Sequence, residues 1–139
     1  AESMEFDGLR IKDKARIPKL KHAEEGVKIA KRILTSLAHK FPLTKDEKRI
    51  ILDAVFWHDK IDEVRNKKFP PEIKLVIDLD HIWSFTRLGF WLDLVRKGEE
   101  PSIYLKKLRR DLPDYFIYDF SKKEAEHLLK QREKEVKLL

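Results

Sequence analysis

Residues 44–59 read Thr-Lys-Asp-Glu-Lys-Arg-Ile-Ile-Leu-Asp-Ala-Val-Phe-Trp-His-Asp. Thr44 and Glu47 have capping-box spacing, in which each side chain satisfies a free backbone N–H of the other residue. Ile50, Ile51, Ala54, Val55 and Trp57 follow at helical intervals, so the stretch predicts an amphipathic helix from the cap to His58-Asp59. On the N-terminal side, Val27, Ala30, Leu34 and Leu37 predict a helix over Lys21 to Lys40, broken by Phe41-Pro42-Leu43. On the C-terminal side, polar residues 60–69 read as a loop. Pro70-Pro71 then opens one long helix through Leu75, Leu79, Trp83, Leu88 and Val95 to Gly98. Pro101 suits the first position of a short helix that Leu112-Pro113-Asp114 stops. Ser121 and Glu124 read as a second capping box for a last helix to about Val136. No segment alternates apolar and polar residues for long. The expectation is an all-α, compact single-domain bundle of five to six helices over residues 1–139, with residues 101–139 supplying its C-terminal helices.

The 139 residues are a one-domain length. Lys and Arg total 31 and Asp and Glu 25, so the net charge is 31 − 25 = +6, which favours anionic ligands but is interleaved with acids along the chain. The absence of cysteine excludes disulfide scaffolds, thiol nucleophiles and Cys-based zinc sites. No apolar run reaches the roughly 18 residues that would cross a bilayer, and the first 16 residues are charged, so no membrane partner and a cytoplasmic location are expected. Charged residues are 40% of the chain, with one Asn (Asn66) and one Gln (Gln131), which follows the thermophile trend.

Chemistry concentrates at His58-Asp59. The run before it is bulky and apolar, and a carboxylate carried into such surroundings needs a partner or a metal. His22 lies 36 residues earlier, and Asp80 lies 21 residues later in an apolar stretch. Two imidazoles and two carboxylates on three helices suit a divalent Mn, Fe, Co, Ni, Zn or Mg ion better than a soft metal.

The order His22…His58-Asp59…Asp80 resembles the HD superfamily of metal-dependent phosphohydrolases. Three elements carry the likeness: His22 followed by small and apolar residues, Leu52-Asp-Ala-Val-Phe-Trp-His58-Asp59, and Asp78-Leu79-Asp80-His81-Ile82-Trp83. The resemblance implies metal ligation by His22, His58, Asp59 and Asp80, with Asp78 a neighbour, and hydrolysis of a nucleotide or related phosphomonoester. It places Asp62, three residues after the pair, as the acid that assists proton transfer. Lys60 and Arg87 are the candidates for binding phosphate; on one continuous helix Arg87 would stand two turns beyond Asp80 on the same face, about 10 Å away. A phosphodiesterase or nuclease, or a non-catalytic nucleotide-binding HD domain, are the alternatives.

Other polar and aromatic residues take structural readings. His39 falls near a helix end, His127 on the surface of the last helix, and His81 points away from Asp80 around the helix. Trp83, Phe85, Phe90 and Trp91 read as core. The basic runs Lys12 to Lys21 and 106–110 lack interleaved aromatics, so nucleic acid is not favoured. The apolar surface of the third helix leaves room for a homodimer.

Overall fold

The computed structural model describes residues 16–139; the charged N-terminal stretch and the first four residues of the basic run Lys12 to Lys21 lie outside the described residues. Among the described residues, seven α-helices and two 3-10 turns account for the regular structure and there is no strand. The chain divides into two compact units, the first ending at Trp57 and the second comprising His58–Leu139.

In the first unit, α1 (Arg16–Leu37) and α2 (Lys45–Trp57) form a helical hairpin. Small residues set its spacing: Ala23 and Ala54 are buried, and a methyl group on Gly26 would stand 3.2 Å from Val55 Cγ1. The Leu37 carbonyl closes the end of α1 by accepting from the amides of Lys40 (2.9 Å) and Phe41 (2.8 Å). The Thr44–Glu47 box forms as expected, with the Thr44 amide donating to Glu47 Oε2 at 2.7 Å and the Glu47 amide to Thr44 Oγ1 at 3.1 Å. The helix stops at Trp57, which puts His58 and Asp59 in the following turn rather than on the helix itself.

The second unit opens with a short helix, α3 (Ile61–Arg65), where a loop was expected; one apolar residue, Val64, is fully buried and anchors it. Next comes α4 (Pro71–Ile82), which buries Ile73, Ile77 and Asp78. The expected long helix through Gly98 is two helices. A 3-10 turn, Trp83–Phe85, ends in Thr86 at ψ 158°, whose side chain accepts from the Gly89 amide and so caps α5 (Arg87–Lys97). A Cβ on Gly89 would sit 1.9 Å from the Trp83 carbonyl oxygen, so only glycine lets the chain turn there. The apolar periodicity runs across this break because buried residues continue on both sides of it, Ile73 and Ile77 before and Phe90 and Leu94 after, which hides the break from a pattern reading.

Gly98 ends α5 in the left-handed region (φ 61°), where glycine is favoured. Then follow α6 (Pro101–Asp111), a 3-10 turn (Leu112–Asp114) and α7 (Asp119–Val136). The expected Ser121–Glu124 capping box does not form: α7 begins at Asp119 with Tyr118 as its N-cap, and Ser121 is buried inside the helix. Phe85, Phe90, Leu94, Tyr104, Leu108 and Phe116 form the core together with Ala125 and Leu129 of α7. Phe85 and Phe90 are thus core residues, whereas Trp83 is 44% exposed and Trp91 only partly covered.

Within that core, the buried carboxylate of Asp93 accepts from Tyr104 Oη (2.8 Å) and Ser84 Oγ (3.0 Å), joining α5 to α6 and to the turn before α5. Arg96 donates to its other oxygen at 3.2 Å. Burial pushes the hydroxyls of Tyr104 and Tyr115 above their ordinary value of 10.0.

Gly89→Ala is therefore expected to lose more than about 3 kcal/mol of unfolding free energy, against about 1 kcal/mol for Gly98→Ala, which meets open space; urea unfolding followed by circular dichroism distinguishes them. A raised folded-state value means that the unfolded chain ionises first as pH climbs. Stability contributed by Tyr104 and Tyr115 is present below pH 10 and is lost as pH rises through 10 toward the folded-state values. Unfolding curves across this range are expected to show that loss, with a flatter alkaline limb in Tyr104→Phe.

Candidate functional site

His58 and Asp59 leave the last turn of α2 and stand half-buried at the start of the second unit. Asp59 is held by its sequence neighbour: Lys60 Nζ lies 3.1 Å from Asp59 Oδ1, with side-chain exposures of 16% for the lysine and 22% for the aspartate. Lys60, expected to bind phosphate, thus places its charge on the carboxylate expected to bind metal. A cation bound at Asp59 would have to compete with Lys60.

Asp62 is exposed in the first turn of α3, with Glu63 beside it. Both acids sit at the favourable, positive end of that short helix.

On α4 the two candidate carboxylates have opposite fates. Asp78 is 1% exposed and accepts from two backbone amides, Ile117 at 2.7 Å on Oδ1 and Tyr118 at 2.9 Å on Oδ2. Both of its oxygens are committed to the chain segment that leads into α7. Asp80, two residues on, is exposed. Its charge is one of those that raise the Tyr115 hydroxyl, after burial itself.

His81 faces the same segment. Its Nδ1 lies 2.7 Å from the Tyr115 carbonyl, and the two rings stack at 4.0 Å with an interplanar angle of 4°. A carbonyl can only accept, so Nδ1 carries the proton and Nε2 is the basic nitrogen.

Arg87 does not extend the face of Asp80, because the chain breaks at Trp83–Thr86 between them. It is the first residue of α5, and its Nε lies 3.5 Å from Glu135 Oε1. Glu135 also accepts from Trp91 Nε1 (3.1 Å) and from buried Arg132 (3.0 Å). Arg87 therefore belongs to a cluster on α7, and its 79% side-chain exposure leaves it mobile in reach.

His22 lies on α1, half-buried beside buried Ala23, in the first unit. His39 is exposed in the turn after α1, and His127 is exposed on α7 with Nε2 2.9 Å from Gln131 Nε2, both as expected. Among the described residues of the second unit, His58, Asp59 and Asp80 do not form a three-residue cluster that could hold a metal ion. What the structure brings together is the Asp59–Lys60 pair and the group of Asp78, His81 and Tyr115 about the start of α7.

The sequence reading passed over Asp93 and Arg132, both buried. Asp93 carried a signal: it follows Phe90 by three residues and precedes Leu94, which is core register for a charged side chain.

No family model, curated protein or solved structure matches this chain.

The unequal roles of the two aspartates give a direct test. Asp78→Ala strands two amides and is expected to cost about 3 kcal/mol of stability, whereas Asp80→Ala should stay within about 0.5 kcal/mol of the parent in urea unfolding. Equal losses would contradict the division of labour on α4.

Proposed function

We propose that the chain is a metal-dependent phosphohydrolase of HD type, acting on a nucleotide or related phosphomonoester. The observation that carries the reading is the contrast on α4. Asp78 is consumed by backbone amides, and Asp80, the residue that the sequence pattern assigns as ligand, is left exposed.

The donor set fits a divalent cation in its chemistry. His58, Asp59 and Asp80 offer an imidazole and two carboxylates. When bound, such an ion supplies Lewis acidity toward water and a phosphoryl oxygen.

The remaining steps belong to this chain's own side chains. Asp62, exposed three residues after Asp59, orients the attacking water or returns a proton to the leaving oxygen. Lys60, released from Asp59, binds the phosphoryl oxygens by charge-assisted hydrogen bonds.

Among the described residues no helix is long and apolar enough to cross a membrane.

Purified protein is expected to retain a divalent metal and to release phosphate from members of a nucleotide panel. His58→Ala and Asp59→Ala should each lose both properties while keeping the parent's circular dichroism. Full phosphatase activity in both variants would end the proposal.

A further inference from the structure

The net charge of +6 is not spread evenly. Between α1 and α2 lies an open cavity of about 510 Å³, within the range of small-molecule sites. Val27, Leu52 and Phe56 give it an apolar lining. Lys31 comes from α1, and Lys45, Lys48 and Arg49 from the first half of α2. Asp53 is the one carboxylate on its walls. The lining therefore carries 4 − 1 = +3, half of the excess of the whole chain.

Those charges are poorly compensated. Arg49 approaches Asp46 at 3.4 Å, a pair exposed on both sides and so worth little. Lys31, Lys45 and Lys48 form no ion pair among the described residues. Elsewhere on α1 the lysine charge is met locally, as where Lys28 donates to Glu25 at 2.6 Å.

We infer that this groove binds a small amphipathic anion, an organic phosphate or carboxylate with an apolar body. The apolar lining gains by covering the body, and the lysine rim gains by facing the head group. A bare inorganic anion would leave the apolar walls wet, and a neutral apolar molecule would leave the repelling lysines unmatched. The cavity size suits such a molecule better than a peptide helix, which needs a longer trough. None of its lining residues belongs to the proposed metal set, so the inference stands or falls separately from the phosphohydrolase reading.

Fluorescence titration of the full chain with anilinonaphthalene sulfonate, an aryl body with one anionic group, tests it. The expected result is binding at one equivalent, weakened by salt, displaced by decyl phosphate and not by inorganic phosphate or decanol. Lys31→Glu with Lys48→Glu should weaken the probe by roughly tenfold or more, and Leu52→Gln by a similar factor. Lys130→Glu with Lys134→Glu on α7 should leave it unchanged. Each variant is checked by thermal unfolding, so that a folded variant with lost binding is distinguished from a damaged one. Equal binding by the groove variants, displacement by inorganic phosphate alone, or binding of an acidic helical peptide without any binding of the small probe would overturn the inference.

Discussion

The second unit depends on a carboxylate that has almost no access to water. Asp78 sits on the inner face of α4 with Ile73 and Ile77, and an unpaired charge there would be prohibitive. It is tolerated because two backbone amides, of Ile117 and Tyr118, donate to its two oxygens. Those amides precede α7 and have no helical partner of their own. One side chain thus compensates its own burial and fixes where the last helix begins, 40 residues along the chain. Tyr115, in the same segment, is then held by His81 from the next turn of α4.

This arrangement explains which features were legible in the sequence. The Thr44–Glu47 box is made by groups three residues apart, and nothing distant competes with it. Gly98 and Pro101 likewise act through their own backbone geometry. The start of α7 was not legible, because the group that anchors it is Asp78 and not Ser121; the local signal for a cap at Ser121 was present and was overridden by a long-range bond. The break at Trp83–Thr86 was hidden for a related reason. The apolar pattern continues through it, and the necessity of Gly89 arises from contact with the Trp83 carbonyl in the folded chain. Ile61 and Val64 are two apolar residues three apart in a polar run, too little to announce a helix.

For the candidate site the sequence pattern supplied residue identities but not their surroundings. His58-Asp59 could be read from the apolar run before it, yet the lysine that compensates Asp59 was assigned to substrate rather than to its neighbour. The two assignments are chemically compatible. A lysine paired with a carboxylate gives way to a stronger cation, and would be freed for an anion if such a cation bound. Arg87 was placed by helical spacing on a helix that turned out to be two, so its relation to Asp80 rested on continuity that the capping by Thr86 removes.

Charge along this sequence is interleaved, but folding sorts it. In the second unit the acids Asp78, Asp93 and Glu135 are drawn into bonds with amides, hydroxyls, an indole and guanidinium groups, so their negative charge is used internally. On α2 the order is different. Asp46 and Glu47 occupy the first turn, where a helix favours acids, and Glu47 is spent on the cap. Lys45, Lys48 and Arg49 alternate with them and turn toward the cavity beside α1. A helix that satisfies its own N-terminus with local acids can direct its neighbouring cations elsewhere. A sequence-level excess that looks diffuse thereby becomes a local field over an apolar surface, which is the combination that selects an amphipathic anion over either a salt ion or an oil.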